Sequence, residues 1–581
     1  MQSSPKFEYP PEYKENKDKL ADRFLNAISA VEDVQSQRSD RWRQNRAFYL
    51  NENAGSIEAP YPGAPTGHYN LFQSKCDSAT GYILNTTTAE TPYCEAKVFG
   101  DEDAADDIEE VCQLFCDLYD FETAYHQALT NAFLFNLGAM WVTSVPAEVQ
   151  VVENGVEILD NYRVEFKVIE PEDFICYPTT VTKPDQASVL GHRFTRTLGE
   201  VKAFQESGKY EKVDVISESG TNNNQGWEDI PYYGAPPIER AAETRDEIVT
   251  LYYIVFRALN EKKKNARYVA VYCKSTNKVL SCYRYEMQTS CYQVYRMKRT
   301  SAKEGMYPGA SKAQDLKQDQ LDINKLKNQY LAAIDWTSGG SLFTDGYLGP
   351  NQSAKFGPME IVTIPTAQNL VPFAPKADLN AIIAGIQMTD NHADVVTSIS
   401  QTLQGAADPD ADTAAENMLI AQGAKSGVDT LIGIATDALG KTWEHLRELL
   451  GMEVGDWYPY IGEPLGIERD KAAMMGTTCM FRPRVRTSSG TPQIKLVALQ
   501  KAIELLAIPG NNINATELVK RQLKALEKVG GTSLEDLQFD PASMLPPGMG
   551  QMAGLQGDPG MGMPANPAAG GFAPGLGALS S

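Results

Sequence analysis

Between Gly305 and Gly440 the hydrophobic pattern dictates two amphipathic helices around a short Gly-rich insert, with a third, longer helix following. The stretch opens on a turn carrying Gly305, Pro308 and Gly309. Leu316, Ile323, Leu326, Tyr330 and Leu331 then recur at three- and four-residue steps, which is the spacing of one helix face. A short apolar run, Met359 to Ile364, lies inside the insert. A second helix is expected from Lys376, with Leu379, Ile382, Ile383 and Ile386 and then Val395, Val396, Ile399 and Leu403. Gly385, Asn391 and His392 are the positions where it should bend or end. Small and acidic residues break the pattern from Gly405 to Ala411, and the third helix is expected to start at Asp412 or Thr413 with Glu416 in its first turn. It continues through Leu431, Leu439, Trp443, Leu446 and Leu450, and Gly423, Gly427 and Gly433 either admit a close neighbour or bend it.

The remainder is mixed, so the expected fold class is α+β. Leu20, Phe24, Ile28 and Val31 describe a helix that runs from Lys17 into the basic segment RSDRWRQNRAFYL, where Arg38, Arg41, Arg43 and Arg46 form either a solvated face or an intersubunit ion-pair set. Leu71 to Leu84 is expected to be helical, and a single strong helix is expected through Val111, Leu118, Tyr125 and Phe133, preceded by the acidic run Asp101 to Glu110. A strand follows Gly138, further strands are expected at Val149 to Val152 and Tyr162 to Ile169, and EPEDFICYPTTV reads as a turn. His192 and Arg193 precede a helix from Thr197 to Glu206, and Asp214 to Ala235 reads as a mobile surface loop. IVTLYYIVFRAL, RYVAVYC and KVLSCYRYE form a β block. FRPRVRTSS reads as a strand leading into a helix, a final amphipathic helix covers Thr516 to Val529, and the Gly/Pro/Met-rich end beyond Asp540 cannot build a regular core.

The formal charge of -22, from 75 acidic and 53 basic side chains, disfavours tight neutralisation of a nucleic-acid backbone. No phosphate loop, no convergent set of acidic metal ligands and no nucleophile–histidine motif can be found, and His68, His126, His192, His392 and His445 take core or surface roles by default. Cys112 and Cys116 are four apart, yet nothing completes a zinc set, so the nine cysteines are expected to be buried free thiols. Asp246 and Glu247 lack a third carboxylate and are read as structural. No catalytic residue, metal or cofactor is therefore assigned. The polar N-terminus has no secretory apolar core and no run reaches membrane-spanning length, so synthesis in the cytosol and no membrane partner are expected.

GMYPGASKAQDLKQDQLDINKLKNQYLAA resembles the glycine turn and Gln/Asn-bearing first stem helix of the portal proteins, or head-to-tail connectors, of tailed bacteriophages, especially the podophage type. DADTAAENMLIAQG is similar to that family's Thr-Ala-x-Glu helix start, and PEDFICYP to its Pro-Glu-Asp pattern. The resemblance spans roughly Leu20 to Leu526 and implies a multidomain subunit. Its parts would be a flexible segment 1–19, a wing 20–310, a first stem helix 311–336, a clip 337–374 and a second stem helix 375–403. A tunnel loop 404–412, a long spine helix and turn 413–465, a return strand and crown 466–540 and a disordered tail 541–581 would complete it.

On this resemblance Gly405, Asp408, Asp410 and Asp412 would face a DNA channel and repel its phosphates, although an ordinary solvent loop fits the same residues. Leu342, Phe343, Asp345, Tyr347, Asn351 and Lys355 would form the tail-docking clip, with small β pieces pairing between neighbours. Lys520, Arg521, Lys524 and Lys528 would sit on a crown helix where DNA enters, or simply form a solvated helix back. The implied role is a non-enzymatic ring, of twelve copies in the family, at the unique vertex of the virion. It would be assembled in the host cytoplasm, nucleate the head, dock the terminase that packages double-stranded DNA without sequence specificity, and join major capsid or scaffolding protein to adaptor and tail proteins. The alternative is another multimeric virion component, such as a head-tail adaptor or internal scaffold.

Overall fold

The computed structural model describes residues 7–52, 64–98, 102–152, 155–215, 248–300, 304–338, 341–344, 361–363, 371–373, 378–397 and 414–485. The chain divides into two units, Met1–Thr487 and Ser488–Ser581, and every described residue belongs to the first. The expected crown helix and Gly/Pro/Met-rich end lie outside the described residues.

The first unit is α+β. It begins with α1 (Lys17–Tyr49), capped by Asn16, whose side chain accepts from Lys19 N at 3.2 Å, and α2 (Leu71–Thr87). The strand β1 (Cys94–Val98) leads into α3 (Glu102–Leu118) and α4 (Phe121–Phe135). One helix was expected here, but Asp120 adopts φ 56° and divides it, and the acidic run lies within the start of α3 instead of preceding it. Asn136 ends α4 in the left-handed region, and its Oδ1 accepts from Met297 N and Lys298 N at 3.0 and 2.9 Å.

The strands β2 (Gly138–Val152) and β3 (Gly155–Ile169) form a long hairpin. At Gly138 a Cβ would lie 1.9 Å from the Ala128 carbonyl oxygen, so only glycine lets β2 leave α4 this closely. EPEDFICYP supplies a turn and then β4 (Phe174–Tyr177), and β5 (Val189–Thr197) carries His192 and Arg193, which had been read only as the approach to α5 (Leu198–Glu206). Thr197 and Glu200 close a reciprocal cap at the start of α5. The β block is β6 (Ile248–Leu259), β7 (Asn265–Cys273) and β8 (Lys278–Tyr285), followed by β9 (Tyr292–Tyr295). Strands β4-β5-β6-β7-β8 form one antiparallel sheet and β3-β2-β9 another.

Next come α6 (Lys312–Ser338), three short strands β10 (Ser341–Thr344), β11 (Ile361–Thr363) and β12 (Val371–Phe373), and α7 (Leu379–Thr397). The small strands pair with one another inside this chain, β10 lying between parallel β11 and antiparallel β12. The third helix, α8 (Ala414–Met452), is followed by α9 (Val454–Trp457), α10 (Arg469–Met474) and β13 (Cys479–Pro483), which pairs antiparallel with β1. Neither α7 nor α8 breaks where glycine had suggested. A Cβ on Gly385 would only touch the Leu326 methyls at 3.4 Å, and Gly433 has open space around it. Close approaches to α8 fall instead at Gly440, where a Cβ would lie 3.0 Å from the Phe481 carbonyl oxygen, and at Gly451, where it would lie 2.4 Å from that of Met475.

The buried apolar residues form one large core and a smaller one, in which Val201 and Phe204 of α5 pack on Val249, Leu251, Val271 and Leu280. Phe24 of α1 meets Phe256 and Tyr272 of the five-stranded sheet edge-to-face, with ring centroids 5.0 and 5.7 Å apart. Trp443 of α8 packs on Tyr93 and Phe481 beside β1 and β13. The start of the chain, expected to be flexible to residue 19, is tied down from Glu8, whose N–H donates to Cys282 O on the edge of β8 at 2.8 Å. Of the expected loop Asp214 to Ala235, only Asp214 and Val215 fall within the described residues, and Asp246 and Glu247 fall outside them.

Candidate functional site

Helices α6 and α7 form a hairpin whose connecting segment carries the β10–β12 sheet, and polar side chains fix it to the rest of the unit. On α6, Gln320, Asn324 and Asn328 recur every four residues and therefore share one face. All three are buried, and they hydrogen-bond the backbone leading into α2 as a neighbouring strand would. Asn328 both accepts from Gly67 N (3.0 Å) and donates to Gly67 O (2.9 Å), Asn324 Oδ1 accepts from Tyr69 N (3.0 Å), and Gln320 Oε1 accepts from Phe72 N (2.8 Å). Gln320 Nε2 also donates to Asn324 Oδ1 at 2.9 Å, so the ladder is internally connected.

On α7, Asp390 and Asp394 meet the buried ammonium of Lys75 on α2 at 2.9 and 2.5 Å. Burial alone would lower the Lys75 pKa, but the two aspartates outweigh it and hold it raised. His392 reaches Asp319 of α6 at 2.8 Å, and Lys312 donates to Val396 O at 2.6 Å. Asp390 and Asp394 are thus drawn to Lys75, whereas the His392 ring stays exposed. The exposed residues of α7 include no Asp, Glu, Lys or Arg; they mix the polar Asn380, Gln387, Asn391 and His392 with the apolar Ile383, Met388 and Val395, the last two exposed by 73% and 76%. Only Ala393 and Thr397 of this apolar helix are buried.

The channel-loop residues Gly405, Asp408, Asp410 and Asp412 lie outside the described residues, as do Asp345, Tyr347, Asn351 and Lys355 of the clip set and Lys520, Arg521, Lys524 and Lys528. Leu342 and Phe343 lie in β10, opposite Ile361 and Val362 of β11. The basic end of α1 divides in two. Arg46 is committed within the chain, to Glu170 at 3.0 Å and Glu172 at 3.2 Å, so it belongs to neither a solvated face nor an intersubunit set. Arg38 and Arg41 point at Gly309 in the turn before α6.

One cluster has the composition of a hydrolytic triad but the wiring of a clamp. Thr289 Oγ1 lies 2.8 Å from His445 Nδ1 and 2.5 Å from Glu448 Oε2. Glu448 also accepts from Gln288 N (2.6 Å) and Thr289 N (2.9 Å), while Arg267 donates to the carbonyls of the same two residues. A triad needs the carboxylate on the far nitrogen of the histidine. Here that nitrogen, Nε2, faces Val142 O at 3.2 Å and carboxylate and imidazole converge on one hydroxyl, so the cluster fastens α8 to the loop before β9. Burial lowers the His445 pKa to about 4.

His192 is likewise buried, with Nδ1 2.6 Å from Tyr292 OH and its ring against Trp141, and burial lowers its pKa to about 3. All nine cysteines are buried and free, and for Cys94, Cys112 and Cys116 burial pushes the thiol well above its ordinary range, away from nucleophilic use. Among the described residues no group of three or more His, Cys, Asp or Glu is disposed to hold a metal, and no helix is long and apolar enough to cross a membrane. A scan of protein-family profiles gave no match to this chain, and neither did a search of curated proteins.

Proposed function

We propose that the chain is the repeating subunit of a ring that conducts double-stranded DNA through the portal vertex of a tailed-phage head. The ring would nucleate head assembly, dock the packaging terminase and connect the head to the tail. The observation that carries this reading is the outer side of α7. With its aspartates held by Lys75, α7 exposes Ile383, Met388 and Val395 among the uncharged Asn380, Gln387 and Asn391 and the His392 ring, and three large apolar side chains on one helix are a poor surface for an isolated subunit in water. Helical hairpins packed side by side around a closed ring would cover it in every copy. The order of elements along the chain, a Gln/Asn-faced helix, a small sheet, a second helix and a long third helix, adds support because the resemblance implies the same order. On this reading the protein supplies no chemistry of its own, and the energy of translocation comes from the terminase.

The test is single-particle imaging of the purified full-length protein without imposed rotational symmetry. The proposal requires rings with an open axial channel and α7 at the contact between adjacent subunits. A monomer or closed dimer at concentrations of tens of micromolar would refute it.

A further inference from the structure

Two arginine tips from α1 converge on the turn between β9 and α6, with no carboxylate within ion-pair distance of either among the described residues. Gly309 sits three residues before Lys312, the first residue of α6. A Cβ placed on Gly309 would lie 2.6 Å from Arg38 Nη1 and 3.2 Å from Arg41 Nη1, so two guanidinium tips meet over the one residue type that leaves them room. Arg41 also donates to Gly309 O at 3.4 Å. One turn along the same seam, Lys317 Nζ finds only the neutral Gln44 side chain, at 2.7 Å.

Several neighbouring cations are matched, Arg43 with Asp40, Arg46 with Glu170 and Glu172, and Lys298 with Asp315 at the start of α6, while Lys312 and Arg296 are held by backbone carbonyls. Among the described residues no carboxylate lies within ion-pair distance of Arg38, Arg41 or Lys317. Arg38 Nε is buried without a hydrogen-bond partner, a cost the fold has no packing reason to bear. The positive end of the α6 dipole lies beside the same turn.

We infer that the Arg38 and Arg41 pair, with Lys317 one turn along the seam, receives a carboxylate side chain from a second copy of the chain. Charge selects that occupant. A subunit of formal charge -22 brings an excess of carboxylates to any contact with its own kind, whereas a nucleic-acid strand approaching three cations would meet an acidic surface around them. A guanidinium pair suits a planar two-oxygen acceptor. The inference rests on the ring reading for the second copy and adds a specific contact to it.

The experiment is native mass spectrometry of full-length protein over a concentration series at low and high salt, comparing wild type with Arg38→Gln/Arg41→Gln and with Gly309→Ala. The double variant should raise the concentration at half-assembly by about tenfold or more at low salt and remove most of its salt dependence. Gly309→Ala keeps both charges but pushes the Arg38 tip aside, so it should give a smaller shift of the same sign. Circular dichroism matching wild type excludes a folding defect. If wild type assembles and the double variant assembles at the same concentration, the inference falls while the ring reading stands. If wild type never assembles, both fall. If inorganic phosphate instead binds saturably through both arginines and assembly is unchanged in their absence, the site is a small-anion site and the second copy is excluded.

Discussion

Replacing Asn324 by leucine tests whether the polar face of α6 holds the segment before α2 by hydrogen bonds or merely lies against it. The side chain is 3% exposed, and its Oδ1 accepts from both Tyr69 N and Gln320 Nε2. Leucine has a similar branched outline, is larger, and accepts nothing. Two net hydrogen bonds of about 1 kcal/mol each are lost, and the orphaned Tyr69 amide costs about 1–3 kcal/mol, against a small apolar gain. A destabilisation of about 2–4 kcal/mol results, confined to the residue 64–72 segment because Gln320 and Asn328 keep their own backbone partners. Hydrogen exchange reads this directly. Peptides covering residues 64–72 should exchange about thirtyfold to several hundredfold faster in Asn324→Leu, while peptides from the five-stranded sheet keep their wild-type rates. Exchange within threefold of wild type would show that apolar packing of Leu71 and Phe72 holds the segment and that the ladder is incidental.

Lys75→Met leaves Asp390 and Asp394 facing each other without their cation and should cost about 3 kcal/mol; a urea midpoint within error of wild type at pH 7 would refute it. Adding Asp394→Asn should recover part of the loss. The buried rings of His445 and His192 are held neutral, so the unfolded chain takes up protons that the native chain refuses. Stability present above pH 6.5 is lost as pH falls towards about 4 for His445 and about 3 for His192. The His445 share is about 3 kcal/mol, and His445→Gln should flatten the acid limb of urea midpoint against pH; an unchanged slope would show that the ring does not titrate. Gly138→Ala drives a methyl into the Ala128 carbonyl and should cost more than about 3 kcal/mol, read as loss of soluble protein on expression, so a soluble variant with wild-type unfolding counts against the close passage. Met388→Glu with Val395→Glu should leave the circular dichroism of the subunit intact and abolish rings in sedimentation; assembled variants would remove α7 from the contact.

Where one element's own residues carry the signal, the sequence was legible. The three- and four-residue spacing from Leu316 to Leu331 marks α6, and the alternation in RYVAVYC marks β7. The regularity of Gln320, Asn324 and Asn328 was visible too, but their partner was not, since Gly67 and Tyr69 lie some 250 residues earlier with nothing in their own pattern to announce it. Asp120 divided a helix without glycine or proline nearby. β5 was hidden because its buried His192 is polar and is satisfied by Tyr292, a contact no local window contains. Of the candidate site, the two helices were readable and the pairing of Asp390 and Asp394 with Lys75 and of His392 with Asp319 was not, because the partners lie on other elements.

The pairing of β1 with β13 sets an order of events for the newborn chain. Cys94 lies opposite Pro483 and Val98 opposite Cys479, so the ribbon joins segments about 390 residues apart. At about 5–20 residues per second of synthesis, the first strand waits roughly 20–80 seconds for its partner. Until then Phe115, Cys112 and Cys116 of α3 and the edge of β1 lack part of their final cover. The Ala96 N–H is engaged early, because Glu109 Oε1, only thirteen residues on, accepts it at 2.6 Å. Tyr93 O accepts from Arg484 N, so the alternate residue Ala96 turns its amide away from β13, and the carboxylate blunts the outer edge of the ribbon against other passing strands, which matters most for a nascent chain emerging beside many copies of itself.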